Sequence, residues 1–179
     1  MNYIQIAKEI GFEEVSKLNV KSLNVLSEVR DMCSADKCKS YNKSWSCPPA
    51  CGDLDHCQKR INEYDDGVLV QSVCAIENEF DFEGIKTAKE IHDRRFETLA
   101  RQIKMINKDC LFLAAGACNR CEKCSYPNSP CRYPDKMFPS MEAYGLLVSD
   151  VCESSNMKYY HGPNTISFTS CVLLKGENK

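Results

Sequence analysis

The chain has 179 residues, 43% of them hydrophobic and 27% charged, with a formal net charge of -2. That is the balance of a globular domain, and it gives no general attraction to nucleic acid or to an anionic membrane. No apolar run approaches the length of a membrane span, and the opening segment has no signal-peptide core, so a cytoplasmic protein is expected. The length suits a single metal-binding domain over residues 1–179, with an N-terminal Cys-rich part (1–66) and a βαβ-type part (67–179). The 13 cysteines exceed what a cytosolic chain of this size needs. The cytosol keeps thiols reduced and the count is odd, so metal binding is expected and a disulfide scaffold is not.

In chain order, Tyr3, Ile6, Ala7 and Ile10 share one helical face, and Gly11 closes the helix. Val15, Leu18 and Val20 read as a short strand, and Leu23, Leu26 and Val29 as a helical turn. The first cysteine group follows as Cys33-x4-Cys38-x8-Cys47-Pro48-Pro49-Ala50-Cys51, then Cys57. The two prolines after Cys47 stiffen the backbone there, which suits a preorganised site. Asp53 is the expected N-cap of a helix over 54–65, with Leu54, Cys57, Ile61 and Tyr64 on its apolar face. Cys57 therefore reads either as a buried core cysteine or as a ligand.

Residues 67–76 read as a buried strand, and 84–107 as a long helix with Ile85, Ala88, Ile91, Leu99, Ile103 and Ile106 inward. The charged face of that helix reads as solvated. A second apolar strand spans 110–115. Strand, helix and strand predict a right-handed βαβ unit with parallel strands. A helix over 140–156, capped by Ser140, and a third strand over 165–174 complete the chain. The expected fold is α/β: a small, mostly parallel sheet of at least three strands, with flanking helices and two Cys-rich metal-binding loops.

The second cysteine group, Cys118-x2-Cys121-x2-Cys124-x6-Cys131, begins where the 110–115 strand ends. Open α/β sheets gather their ligands at the carboxyl ends of strands. Bacterial ferredoxins hold a cubane with a run of C-x2-C-x2-C and a later cysteine beside proline, although their last gap is x3. Zinc sites more often split their cysteines into two distant pairs. An iron–sulfur cluster is the first reading of this loop, and zinc the second.

The segments Tyr41-Asn-Lys-Ser-Trp-Ser-Cys47-Pro-Pro, Ala115-Gly-Ala-Cys118-Asn-Arg-Cys121-Glu-Lys-Cys124, Pro130-Cys131-Arg-Tyr-Pro134 and Pro139-Ser-Met-Glu142-Ala-Tyr-Gly145 carry a resemblance. Together they resemble the predicted metal-binding family called domain of unknown function 2284 (DUF2284). The resemblance implies a small cytoplasmic iron–sulfur protein of anaerobes, with cysteines at Cys33, Cys38, Cys47 and Cys57 and at Cys118, Cys121, Cys124 and Cys131. It favours Cys57 as the fourth ligand of the first group, whereas spacing alone favours Cys51; both stay open.

Eight thiolates in two sets of four fit two [4Fe–4S] clusters. The leading expectation is an electron carrier, or a protein of reductive chemistry, with a redox partner protein. The alternative is an enzyme with an open iron on one cluster, serving reductive heteroatom removal, desulfuration or corrinoid activation on a small-molecule substrate. Glu142 and His161 are then the catalytic candidates, each weighed against a structural role. A structural zinc module ranks last, because the Cys118 region lacks the basic, aromatic-interleaved character of nucleic-acid knuckles. No nucleotide-binding glycine pattern is present.

Overall fold

The computed structural model describes residues 2–176. Its elements run α1 (Tyr3–Ile10), β1 (Glu14–Lys17), α2 (Ser27–Ser34), α3 (Leu54–Ile61), β2 (Asp66–Ala75), α4 (Phe82–Ile106), β3 (Cys110–Leu113), α5 (Val148–Ser154) and β4 (Thr165–Leu174). Short 3-10 turns lie at Val20–Ser22, Pro134–Lys136 and Glu142–Tyr144.

The sheet corrects the parallel expectation. Its order is β1-β2-β4-β3, and every neighbouring pair is antiparallel. β2 and β3 do run in the same direction on either side of α4. However, β4 lies between them and pairs with both, Leu69 opposite Cys171 and Leu113 opposite Cys171. The C-terminal strand thereby replaces a parallel contact with two antiparallel ladders.

β2 and β4 are apolar on both sides because both faces of the sheet are covered. Leu69, Leu111, Leu113, Cys171 and Leu173 pack beneath α3 and α5 with Ile61, Met141 and Val151. On the other face, Val68, Val70, Phe112, Val172 and Leu174 meet α1 and α4 through Ala7, Phe96, Leu99 and Ile103. Each fully buried aliphatic side chain here contributes about 1.5–3 kcal/mol.

Asp81 starts α4 by accepting the Gly84 amide at 2.8 Å. The helix buries Ala88, His92, Phe96, Leu99, Ala100 and Ile103. The inward stripe thus runs through His92 and Phe96, while Ile106 stays 42% exposed. The helix expected over 140–156 is broken. Ser140 does cap, accepting the Ala143 amide at 3.0 Å, but only a 3-10 turn follows before Gly145 takes a left-handed φ of 79°. That conformation favours glycine and stops the helix, which restarts as α5. The helix after Asp53 is likewise shorter than expected and ends at Ile61.

These features bring the two cysteine regions together. Ala114, just past β3, pairs with Ser140 in a single parallel bridge. Its amide donates to Pro139 O at 2.8 Å, and its carbonyl accepts the Met141 amide at 3.1 Å. The start of the Cys118 loop is thereby fixed beside the turn that carries Glu142. Among the described residues, no helix is long and apolar enough to cross a membrane.

Candidate metal centres

Cys33 projects from the last turn of α2, and Cys38 follows in a tight loop. Asp36 holds that loop: Oδ1 accepts the Tyr41 amide at 2.9 Å and Oδ2 accepts Lys43 Nζ at 2.6 Å. The Lys43 contact, then the Tyr41 amide, keeps the Asp36 carboxyl below its usual range. The loop returns at Cys47. Cys33, Cys38 and Cys47 line one cavity of about 280 Å³, along with Met32, Tyr41 and Glu142. Its walls are mostly apolar, with Val29, Pro48 and Ala117 among them.

Cys51 and Cys57 stand apart from that cavity lining. The Cys51 thiol donates to Ala143 O at 3.5 Å. Cys57, on α3, is fully buried within the core. Arg30 holds this corner, donating through Nη1 to Gly52 O at 2.8 Å and through Nη2 to Cys57 Sγ at 3.5 Å. Burial pushes the thiols up: Cys51 to about 12, and Cys57 upward as well, against the opposing charge of Arg30 in both cases. Burial, then the Glu142 carboxylate, raises Cys33, and burial raises Cys47 against the Ser46 hydroxyl. Such thiols ionise when a cation arrives to share the charge.

Cys118, Cys121, Cys124 and Cys131 line a second cavity, together with Ser44 and Trp45. Local hydrogen bonds shape this loop. Ser125 Oγ donates to Pro130 O at 2.8 Å, and Arg132 Nη1 donates to Lys123 O at 2.8 Å. Trp45 Nε1 donates to Ser129 O at 3.1 Å, and its ring meets Tyr126 edge-on at 4.9 Å. Burial opposes ionisation of Cys124. The backbone N–H groups of Tyr126 and Trp45, with the Ser44 hydroxyl, outweigh it and hold that thiol below its ordinary value. Cys118 goes the other way, raised by burial. Arg120 is tied to α4 through Glu97 at 2.6 Å, and Lys136 shares the same carboxylate at 2.9 Å.

One short stretch separates the two thiol sets. Ser44 and Trp45 face the second cavity, whereas Cys47 and Pro48 face the first. Ser46 Oγ accepts the Cys118 amide at 3.2 Å, lies 3.6 Å from Cys47 Sγ and lies 3.0 Å from Ser44 Oγ. From the other side, Gly116 and Ala117 line the first cavity and Cys118 the second. The two cavities therefore share a wall one residue thick, built from both chain segments.

The two catalytic candidates part company. Glu142 lines the first cavity, and its Oε2 is buried with no hydrogen-bond partner. His161 instead lies 2.6 Å from Gln71 Oε1 through Nε2, on a side chain that donates onward to Thr169 Oγ1 at 3.0 Å. That is a structural network at the sheet, outside both cavity linings. Arg30, Ser46 and Trp45 were not singled out as site residues in the sequence. Arg30 carries no spacing signal, but a lone Trp between two serines and two residues before Cys47 is a usable one.

The donor set decides what these sites can hold. The second lining offers four thiols and no imidazole or carboxylate; the first offers three thiols and Glu142. Thiolate-rich sets suit iron–sulfur clusters and zinc. Thiolates on one zinc sit about 2.3 Å from it and so under roughly 4 Å from one another. Among the described residues, no three Cys, His, Asp or Glu side chains are grouped to hold a single metal ion. Three of the thiols line the first cavity and four line the second.

A family description, predicted metal-binding protein (DUF2284), matches residues 16–174. Curated proteins give no match. Among solved structures, epoxyqueuosine reductase from Bacillus subtilis is similar over 99% of this chain at 10% identity, with a TM-score of 0.46. The chain spans 45% of that protein's length, and a likeness of this degree carries no argument about activity.

Proposed function

Since the chain belongs to the predicted metal-binding family DUF2284, we propose that it is an iron–sulfur protein passing electrons between two neighbouring thiol-held centres. The observation that carries this reading is the shared wall, where Ser46 Oγ contacts both Cys47 Sγ and the Cys118 amide. A [4Fe–4S] cluster at each set would supply one-electron storage at a potential set by burial and by hydrogen bonds to sulfur. Cys118, Cys121, Cys124 and Cys131 would hold one; Cys33, Cys38 and Cys47, with a fourth group, would hold the other.

The chain's own residues support different roles for the two sites. At the second, backbone N–H groups and the Ser44 hydroxyl stabilise negative charge on Cys124. At the first, the thiols open onto a mostly apolar cavity of about 280 Å³, the space from which a small molecule would approach a centre held there. That approach supports a reductive reaction at the first centre, fed by the second and by a redox partner protein.

Anaerobic purification with iron, sulfide and zinc counted per chain tests the reading. About eight irons and eight sulfides, with a visible band near 400 nm, are expected. Cys121→Ser should lose about half of both and keep the remainder. A colourless protein with one or two zincs would overturn the proposal.

A further inference from the structure

Five cysteines belong to the first group, yet only Cys33, Cys38 and Cys47 line its cavity. The other two lie outside that lining. Cys51 donates at 3.5 Å to the carbonyl of Ala143 at the cavity's edge but is not itself part of the lining, and Cys57 is buried in the core under Arg30 Nη2. Glu142 is the carboxylate in that lining. Its Oε2 is buried and has no hydrogen-bond partner. An orphaned carboxylate oxygen is costly to bury, and a cation held beside it would offset that cost.

The backbone around Glu142 is fixed rather than loose. Ser140 Oγ accepts the Ala143 amide at 3.0 Å, and Gly145 closes the turn by donating to Glu142 O at 2.9 Å. The Cys33 thiol donates to that same Glu142 carbonyl at 3.7 Å. The carboxylate and the Cys33 thiol are therefore delivered to one cavity by the packing of α2 against this turn. One carboxylate and three thiols that can ionise on meeting a cation face a common space, a donor set suited to a cationic occupant. Lys37 is exposed at the lining and is the cation there.

Resting on the iron–sulfur reading above, we propose that Glu142 is the fourth ligand of the first centre, completing Cys33, Cys38 and Cys47. A carboxylate holds iron less tightly than a thiolate, since soft sulfur is the preferred donor of these clusters. The position it occupies is the exchangeable one and faces the apolar cavity. Small anionic donors are the ligand class it admits.

The test is electron paramagnetic resonance of the reduced protein, with iron counted in each variant and cyanide as the probe. Cys51→Ala and Cys57→Ala should each keep the full iron content. Glu142→Ala and Glu142→Gln should keep the second centre's signal, alter the first centre's signal, and bind cyanide at least tenfold more tightly than the unsubstituted chain. Loss of about half the iron in Cys51→Ala or Cys57→Ala, with both proteins folded by circular dichroism, would assign the fourth ligand to that cysteine and overturn the proposal. An unchanged first signal in both Glu142 variants would overturn it too, and would leave Glu142 at most a proton donor. An unsubstituted chain that carries zinc and no sulfide would instead sink the iron–sulfur reading itself, so the two failures are distinct.

Discussion

Burial of His92 should give this fold a defined sensitivity to acid. The ring is fully buried between α4 and the sheet, with Nδ1 3.0 Å from Ser72 Oγ and Nε2 2.7 Å from Ser170 Oγ. Burial, followed by the charges of Lys89 and Arg95, pushes its pKa down from 6.5 to about 3. The unfolded chain therefore takes up a proton below about pH 6.5, while the folded chain declines it until about pH 3. In that window the unfolded state binds more protons, so stability is full above the window and falls as pH falls. Linkage puts the loss at about 2 kcal/mol between about pH 7.5 and about pH 5, rising to about 4–5 kcal/mol near pH 3. Urea unfolding of the chain and of His92→Gln at both pH values is the assay, because other titrating groups cancel in the difference. His92→Gln should be the less stable protein at about pH 7.5, with the gap narrowing by about 2 kcal/mol at about pH 5. A gap that stays constant would refute the reasoning.

Gly145→Ala should destabilise by about 1–3 kcal/mol in the same unfolding assay. Its φ is +79°, and an added Cβ would stand 2.8 Å from Leu54 Cδ2 and 3.3 Å from the Leu26 backbone. Asp81→Ala should cost about 1 kcal/mol by removing the side chain that accepts the Gly84 and Glu77 amides, again read from urea midpoints. Trp45 is the single tryptophan and lines the second cavity. Its emission should fall sharply on iron and sulfide loading, and Cys121→Ser should abolish most of that quenching.

The local features of this fold were readable because each has a local cause. Apolar, β-branched runs marked β2 and β4, and Asp53 announced α3 by capping it, accepting the His56 amide at 2.7 Å. The sheet's direction was not readable. A strand–helix–strand pattern is compatible with a parallel pair or with a pair split by a later strand, and only the pairing of residues far apart in sequence, such as Leu69 with Cys171, decides it. The broken helix at Gly145 failed for a related reason. Gly145 falls inside the helix expected over 140–156, but its carbonyl accepts the amide of Leu26, a neighbour from another segment.

The cysteine groups were visible from spacing, and the cavities gather Cys33, Cys38 and Cys47 at one and Cys118, Cys121, Cys124 and Cys131 at the other. What spacing could not convey was adjacency. Ser46 and Cys118 lie 72 positions apart yet hydrogen-bond. Nor could it separate Glu142 from His161, since both sat near turns and aromatic residues. Packing alone put the first in a cavity and the second against Gln71.

The central claim is two iron–sulfur centres on either side of the wall around Ser46. Electron paramagnetic resonance of the fully reduced protein measures it most directly, because two reduced centres at such a separation interact magnetically. The expected spectrum is broadened and split relative to Cys121→Ser, which should show the first centre alone as a simple signal. A spectrum equal to the sum of two isolated signals, or no iron signal from a protein loaded with zinc, would contradict the account.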